Sequence, residues 1–534
     1  MPDNKSPRPL AAAAVKAMLG DGQELALIDV REELTFSQNH LLWARNVPLS
    51  RMELRFARLV PRKTTRIVLC DDNDGLTARA ADVLARAGYS DIAYLDGGVA
   101  AWEQAGFVTF SGVHVPSKAF GEFVEHDSGT PSVSAQELDA LMLNGTKMVV
   151  LDSRPFDEYS RVSIPTGVNV PGAELVLRVH DIAPAPDTTI VVNCAGRTRS
   201  IIGAQSLINA GVPNKVVSLK NGTQAWHLAG YQVLKGATAQ PPAVSDAGRA
   251  AARVAAARLA KRFGIRTIDK ATLERWRAEA SRTLYVFDVR TPAEYAAGHV
   301  PGMKHIAGGQ LVQETDRHAA TWGARVVLVD DDGVRATMTA HWMQQMGWDV
   351  AVMPLESFGA AREIGAYVPR VLGLEGVALQ LIDAAALHAR LQAGSAVVVD
   401  VDWSRSYLAG HIPGAWYAIR ARLADAFGAL PAAEAIVFTS SDGVLARLAA
   451  AEWNGRAPAP VLALTGGTAA WVAAGYGLER GAERMASARE DERLRAREMA
   501  GSVEDAMRAY LAWEIELVNQ MATDDDQRFR VVAG

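Results

Sequence analysis

The residues with the clearest chemical potential are Cys194 and those around it, in the stretch Val-Val-Asn-Cys-Ala-Gly-Arg-Thr-Arg-Ser (191–200). An apolar, strand-like run ends at Asn193, and a helical pattern follows the loop. A cysteine at such a turn meets backbone N–H groups that lack an intrahelical partner and lies near the positive end of the helix dipole. Both effects favour the thiolate, as do the guanidinium groups of Arg197 and Arg199. The stretch predicts a nucleophilic thiolate in an anion-binding loop; the alternative is a buried structural cysteine.

Four copies of one unit of strands and helices position this loop. A short apolar strand that ends in an aspartate recurs at Asp29, Asp152, Asp288 and Asp400. Cys194 lies 42 residues after its aspartate, and the equivalent positions are Asp71 and Asp330, also at 42, and Ser440, at 40. The alternation of strands and helices predicts a parallel sheet flanked by helices in each unit. Active sites of such sheets lie at the carboxyl ends of strands, where Cys194 is expected.

The spacing divides the chain into four repeats, a linker helix and a helical tail. The predicted bounds are 1–115, 116–240, 265–372 and 373–480 for repeats 1 to 4, with the linker helix at 241–264 and the tail at 481–534. The linker is rich in alanine and arginine but lacks interleaved aromatic residues, which favours a solvated helix over a nucleic-acid site. The tail has an apolar stripe at helical spacing from Val503 to Val518. That stripe needs a partner surface, either on this chain or on a second copy.

Only repeat 2 has a cysteine at the loop position. The carboxylates of Asp71 and Asp330 should repel an anionic substrate there, which indicates that repeats 1, 3 and 4 do not carry the chemistry. The aspartates around these positions are more typical of solvated turns than of a metal site. Cys70 directly precedes Asp71, which predicts core packing; the alternative is a redox partner for Cys194.

Composition and charge exclude several classes of protein. The chain has 534 residues, of which 49% are hydrophobic and 22% charged, and its net charge is −5, as for a multidomain globular protein. This mild acidity gives no reason to expect a nucleic acid or an anionic membrane as partner. No apolar run reaches the ~18 residues of a membrane span, and the polar start lacks a signal-peptide pattern. Two cysteines cannot form a disulfide framework or a cysteine-rich zinc site, so a reducing cytoplasm is predicted.

The repeats resemble the rhodanese superfamily. Repeat 3 carries Asp-Val-Arg-Thr-Pro-Ala-Glu-Tyr-Ala-Ala-Gly-His-Val-Pro-Gly (288–302), and repeat 4 keeps Tyr-Leu-Ala-Gly-His-Ile-Pro-Gly (407–414). Repeat 2 has Ser-Ile-Pro (163–165) where the family usually has His-Ile-Pro. Residues 194–200 are similar to the family's active-site pattern, Cys-x-x-Gly-x-Arg-Ser, with the glycine one place earlier. The resemblance implies an α/β fold of four tandem rhodanese-like domains, one of them catalytically competent, plus the helical tail.

The resemblance also implies sulfane-sulfur transfer. The Cys194 thiolate would take the outer sulfur of a donor such as thiosulfate and pass it, as a persulfide, to cyanide or a thiol, with a sulfur-acceptor protein as a further candidate partner. The loop would bind the small anionic donor through Ala195, Gly196, Arg197, Thr198, Arg199 and Ser200. Structural ion pairs beside the site are expected from Asp152, Arg154 and Glu158. The resemblance implies no metal and no organic cofactor.

Two alternatives remain at this point. The first is a persulfide carrier or sensing scaffold without efficient turnover, because three of the four repeats lack the nucleophile. The second is a phosphatase or an arsenate reductase of related fold. Such enzymes place the arginine six positions after the cysteine, whereas Arg199 comes five after Cys194. The tighter loop fits a single sulfur atom better than a tetrahedral phosphoryl group.

Overall fold

Four five-stranded sheets form the framework of the computed structural model, which describes residues 7–375, 378–499 and 501–532. Within each sheet the strand order is first, fifth, fourth, second, third, and every strand pair is parallel. The predicted architecture of four tandem α/β domains is therefore confirmed. The residue bounds assigned to the domains remain a prediction.

Repeats 1 and 2 share one succession of elements. Repeat 1 contains β1 (Arg8–Leu10), α1 (Ala12–Gly20), β2 (Ala26–Asp29), α2 (Glu33–Phe36), β3 (Arg45–Asn46), α3 (Met52–Leu59), β4 (Ile67–Cys70), α4 (Leu76–Arg86), β5 (Ile92–Leu95) and α5 (Gly98–Gln104). After α6 (Val115–Ser128), repeat 2 contains β6 (Ser132–Val133), α7 (Ala135–Leu143), β7 (Met148–Asp152), α8 (Phe156–Arg161), β8 (Gly167–Asn169), α9 (Leu175–Ile182), β9 (Thr189–Asn193), α10 (Thr198–Asn209), β10 (Val216–Leu219) and α11 (Gly222–Leu228).

Repeats 3 and 4 follow the linker helix α12 (Asp246–Phe263). Repeat 3 contains β11 (Arg266–Thr267), α13 (Lys270–Ala278), β12 (Leu284–Asp288), α14 (Pro292–Ala297), β13 (Lys304–His305), α15 (Gly308–Gln313), β14 (Arg325–Asp330), α16 (Arg335–Gln345) and β15 (Asp349–Pro354). Repeat 4 contains β16 (Leu381–Ile382), α17 (Ala384–Gln392), β17 (Ala396–Asp400), α18 (Ser404–Ala409), β18 (Trp416–Tyr417), α19 (Leu423–Ala426), β19 (Ala435–Thr439), α20 (Val444–Trp453), β20 (Val461–Leu464) and α21 (Gly467–Ala473), and the tail forms α22 (Val503–Ala522). Short 3-10 turns occur at Leu49–Arg51, Gly172–Glu174, Thr315–Arg317, Leu355–Phe358, Arg420–Arg422, Phe427–Ala429 and Ala496–Glu498.

The chain forms two compact units that do not follow its order. One unit comprises residues 1–15, 26–112 and 369–494 and holds the sheets of repeats 1 and 4. The other comprises 16–25, 113–368 and 495–534 and holds repeats 2 and 3 together with α12 and α22. Among the described helices, none combines the length and the apolar character that crossing a membrane requires.

The sheet strands are short and apolar because helices cover both of their faces. In β9 the run Ile190 to Asn193 is fully buried, and Val191 packs in a core with Leu138 and Trp226. The Trp226 indole donates to the Gln232 carbonyl at 2.9 Å, which fastens the end of the repeat. This core fixes the end of β9, and with it the start of the cysteine loop.

The linker and tail helices each bury one face against the rest of the chain. On α12 the alanine-rich face is buried through Ala252, Ala255, Ala256, Leu259 and Phe263. On α22 the buried residues are Leu511, Glu514, Leu517 and Met521, and the helix packs on α6 within the same unit. The tail therefore docks on its own chain. The predicted stripe shares only Leu511 with this buried face, since Ile515 remains 46% exposed.

A buried aspartate–arginine pair marks the end of the second strand in the first three repeats. The guanidinium lies 2.6 to 2.7 Å from the carboxylate in Asp29–Arg31, Asp152–Arg154 and Asp288–Arg290. In repeat 4 the arginine position holds Asp402, whose N–H donates to Asp400 at 2.9 Å. Burial raises the pKa of Asp400 to about 7. Repeat 4 therefore contains a buried carboxyl group without the arginine two residues later that its sister repeats provide.

Asp400→Asn is expected to raise the free energy of unfolding at about pH 8 by ~2 kcal/mol. The folded pKa of about 7 lies above the ordinary 3.8 of an aspartate. The contribution of Asp400 to stability is therefore complete below about pH 4 and is lost as the pH rises through about 7. Urea unfolding midpoints at about pH 5 and about pH 8 measure the effect, which should be larger at the higher pH.

Asp288→Asn is the matched control for this prediction. It removes the closest partner of the buried Arg290, which among the described residues leaves only Asp331 at 3.6 Å, and should destabilise the protein at both pH values, because a buried charge that loses its closest partner is costly. Equal midpoints for wild type and Asp400→Asn at the higher pH would show that Asp400 is not destabilising when ionised.

Candidate active site

Cys194 is the first residue after β9, and the loop from it to Arg197 leads directly into α10. The cysteine is buried, with 2% of its surface exposed. The N-terminus of α11 holds the loop from outside: the Thr223 N–H donates to the Cys194 carbonyl at 2.9 Å and the Gln224 N–H to the Ala195 carbonyl at 3.0 Å. In a trans peptide the N–H points opposite to the C=O. The N–H groups of Ala195 and Gly196 are therefore turned away from α11.

Gly222, the first residue of α11, allows this close approach. Its φ is +56°, a left-handed conformation, and a Cβ atom there would overlap the Cys194 carbonyl oxygen and lie 2.7 Å from that of Gly196. Only glycine satisfies both conditions. The dipeptide Asn221-Gly222 is typical of a turn. No residue pattern in the sequence, however, predicts that this turn contacts the cysteine loop.

The equivalent loops of the other three repeats show which side-chain group occupies this position. In each repeat the residue at the cysteine position faces the backbone N–H six residues later. Asp71 accepts from the Thr77 N–H at 2.9 Å, Asp330 from the Ala336 N–H at 2.9 Å, and Ser440 from the Ala446 N–H at 3.3 Å. In two repeats a carboxyl group thus fills the loop, and one of its oxygens accepts from this N–H. The same geometry around Cys194 would place the Ser200 N–H beside a negatively charged sulfur.

Ser200, one of the predicted loop residues, lies beside the sulfur. Its Oγ is 3.4 Å from Cys194 Sγ and donates to the Arg197 carbonyl at 2.8 Å. Both the hydroxyl and the N–H of Ser200 lower the pKa of Cys194. Ser200 is therefore placed to hold a thiolate or a persulfide.

Arg197 does not point at the sulfur. Its Nε and Nη2 donate to Glu122 of α6 at 2.7 and 2.6 Å, it pairs with Glu125, and its Nη1 donates to Asn221 at 2.7 Å. Burial raises the pKa of Glu122 to about 7 in spite of this ion pair. Arg197 thus fixes the loop to α6, and its charge is compensated by acidic partners that the sequence analysis did not identify.

Arg199 is the arginine that acts on the cysteine. Its guanidinium holds Glu158 through two bonds of 2.8 Å and lies 3.2 Å from Gln310, and its positive charge lowers the pKa of Cys194. Below the loop, Asp152 pairs with Arg154 and also accepts from the Asn193 amide at 2.9 Å. The residues expected to form structural ion pairs beside the site, Asp152, Arg154 and Glu158, are found in such pairs.

Burial raises the pKa of the Cys194 thiol, and this effect is larger than the lowering by the charge of Arg199 and by the hydrogen bonds of Ser200. The loop and its arginines alone predict a thiolate, but a helix that is distant in sequence covers the loop. Tyr510, Leu511 and Glu514 of α22 lie beside Gly196.

Arg199→Ala is expected to raise the pKa of Cys194 further and to slow its alkylation at neutral pH by about ten-fold, the effect of a shift of about one unit. The pH profile of iodoacetamide modification, read by mass spectrometry of the Cys194 peptide, measures the change. Arg161→Ala, at an exposed arginine that ends α8, is the control and should leave the profile unchanged. A profile unaltered by Arg199→Ala would remove Arg199 from the activation of the thiol.

Comparison with known proteins identifies the family of the four repeats. The family model for the Rhodanese-like domain matches residues 11–105, 134–229, 270–355 and 383–474. A crystal structure described as a thiosulfate sulfurtransferase from Pseudomonas aeruginosa is 47% identical, with a TM-score of 0.94, and the match covers 98% of this chain and 100% of that one.

Two curated relatives match over shorter stretches. An uncharacterised protein of Synechocystis sp. is 37% identical over 90 residues, which are 17% of this chain and 49% of the relative. The uncharacterised protein YqhL of Bacillus subtilis is 38% identical over 76 residues, 14% of this chain and 59% of the relative. The chain thus spans about half the length of these curated relatives. With the family model matching more than half of its residues, in four copies, the chain belongs to the rhodanese family.

Proposed function

We propose that the protein is a sulfurtransferase that carries sulfane sulfur as a persulfide on Cys194. The observation that carries the proposal is the loop geometry: where repeat 2 has a thiol, two sister repeats have a carboxylate bound by the N–H six residues later. A persulfide anion on Cys194 would use the equivalent N–H of Ser200. The P. aeruginosa protein that matches the whole chain is described as a thiosulfate sulfurtransferase, which supports the same reaction.

The reaction takes two covalent steps. Cys194 loses its proton to solvent, and the thiolate attacks the outer sulfur of thiosulfate. The S–S bond of the donor breaks, and sulfite leaves with the electron pair. An acceptor thiolate or cyanide then attacks the outer sulfur of the persulfide, and the Cys194 thiolate departs.

The chain's own residues supply the electrostatics of both steps. The Ser200 N–H is placed to donate to a negatively charged sulfur, the Ser200 hydroxyl lies 3.4 Å from it, and Arg199 compensates negative charge at the loop. Arg197 keeps the loop anchored to α6. The donor would be a small anion and the acceptor a thiol, cyanide or an acceptor protein. A reducing compartment such as the cytoplasm would keep the thiol available.

A persulfide carrier without efficient turnover is the second candidate, and the burial of Cys194 favours it. A thiol with 2% of its surface exposed exchanges slowly with free small molecules. Cyanide separates the two candidates, since an enzyme releases many equivalents of thiocyanate per chain, whereas a carrier releases a single equivalent.

The test is direct. After incubation with thiosulfate, the intact protein should gain the mass of one sulfur atom, peptide mapping should place it on Cys194, and cyanide should remove it with repeated release of thiocyanate. No sulfur on Cys194 after exposure to thiosulfate or to an organic persulfide would contradict the proposal.

A further inference from the structure

Helix α22 lies directly against the cysteine loop. A methyl group on Gly196 would lie 3.3 Å from Glu514 Oε2 and 3.3 Å from the Tyr510 ring. The hydroxyl of Thr198, the first residue of α10, donates to Glu514 Oε1 at 2.7 Å. A residue more than 300 positions along the chain thus contributes a carboxylate to the surroundings of Cys194.

The second oxygen of this carboxylate, Oε2, is buried beside the cysteine loop. Glu514 is 1% exposed, and among the described residues its Oε2 has no hydrogen-bond partner. A buried acceptor without a donor is costly, so such an atom calls for an explanation. It faces Gly196, two residues after the nucleophile, and the charge of Glu514 raises the pKa of Cys194.

The cations around the loop are already engaged. Arg197 is held by Glu122 and Glu125, and Arg199 by Glu158. On α6, Lys118 lies over the rings of Tyr510 and Trp513, 5.0 and 4.7 Å from their centres. The loop is therefore surrounded by more carboxylates than guanidinium groups. Glu514 is the carboxylate whose second oxygen faces the loop without a hydrogen-bond partner among the described residues.

We propose that Glu514 is a specificity-determining residue that makes the Cys194 site discriminate against sulfur donors in proportion to their negative charge. The inference rests on the proposed sulfur transfer. The preferred donors are then sulfane-sulfur compounds with one negative charge or none, such as organic thiosulfonates or persulfides. The thiosulfate dianion is a poorer donor. Like charges in a partly dehydrated site repel far more strongly than in water, so one carboxylate suffices.

Alkylation tests the charge selection without any sulfur transfer. Iodoacetamide is neutral and iodoacetate is an anion of similar size, and the ratio of their rates at Cys194 reports how strongly the site rejects negative charge. Glu514→Gln should lower the ratio of the iodoacetamide rate to the iodoacetate rate by about five-fold. The glutamine keeps an oxygen for the Thr198 hydroxyl, so the cover is retained.

Two further variants make the result specific. Glu516→Gln removes the same charge from an exposed position on the same helix and should leave the ratio unchanged. Glu514→Asp keeps the charge and should keep most of the selectivity, even if packing suffers. An unchanged ratio in Glu514→Gln, or equal acceleration of both reagents, would overturn the proposal, because the helix would then act only as a steric cover.

Sulfur-transfer kinetics complete the test. In Glu514→Gln, kcat/KM for thiosulfate should rise relative to that for a singly charged organic thiosulfonate, again by about five-fold. If neither the wild type nor any variant turns over, the proposed function fails, and the alkylation ratio still decides the role of Glu514. If turnover is observed and both ratios are unchanged, the proposed function stands and the role of Glu514 is refuted.

Discussion

Cys194→Ser is expected to abolish persulfide formation and to lower thiocyanate release at least about a thousand-fold. The hydroxyl has a far higher pKa than the thiol and cannot accept sulfane sulfur to form a persulfide. The fold should survive, because repeat 4 already has a serine at this position, where Ser440 accepts the Ala446 N–H at 3.3 Å. Thiocyanate formation and the intact mass after thiosulfate treatment measure the outcome.

Cys70→Ala is the matched control. Cys70 ends β4 and is fully buried, and burial raises the pKa of its thiol well above the ordinary value. Sulfur loading should therefore remain on Cys194 in this variant. Turnover at the wild-type rate in Cys194→Ser would show that Cys194 does not carry the sulfur. Loss of sulfur loading in Cys70→Ala with the fold intact would contradict the assignment in the same way.

The fold was predictable from the sequence because its signal is local and repeated. Each repeat contains a strand that ends in aspartate, and a second strand that ends at nearly the same distance in all four copies. A pattern repeated at this spacing leaves one simple topology, the parallel sheet with crossover helices. The cysteine loop was predictable for the same reason, since residues 194–200 lie within one strand-to-helix turn.

The surroundings of the loop were not predictable, because they depend on pairings distant in sequence. Arg197 was assigned to the donor, but its partner Glu122 lies 75 residues upstream on α6. Glu514 reaches Thr198 from 316 residues downstream. Neither partner has a local pattern that links it to the site. Burial raises the pKa of Cys194 and the charge of Glu514 raises it too, so the direction of the shift could not be obtained from the loop alone.

Helix α22 illustrates the difference between a pattern and a contact. Its apolar spacing predicts a docking helix, and the helix does dock on its own chain. The buried face, however, includes the charged Glu514 and leaves Ile515 exposed. A hydrophobic stripe identifies the helix, but it cannot show that a carboxylate lies at the centre of the packed face, where the Thr198 hydroxyl provides its partner.

Gly222→Ala is expected to reduce persulfide loading by more than about a hundred-fold. The added methyl group would overlap the Cys194 carbonyl oxygen, and the left-handed φ of +56° disfavours alanine in any case. The loop must move away from α11, and the Ser200 N–H then loses its position beside the sulfur. Loading rate by mass spectrometry, together with the thermal midpoint, measures the change.

Gly467→Ala separates damage to the site from damage to the fold. Gly467 begins α21 in repeat 4, has a φ of +61°, and a Cβ there would overlap the Ser440 carbonyl oxygen. The backbone strain is therefore of the same kind in both variants, but only one of them touches the cysteine loop. Both should lower the thermal midpoint, and only Gly222→Ala should lose loading. Equal losses of loading would show that global stability, rather than the position of the loop, limits the chemistry at Cys194.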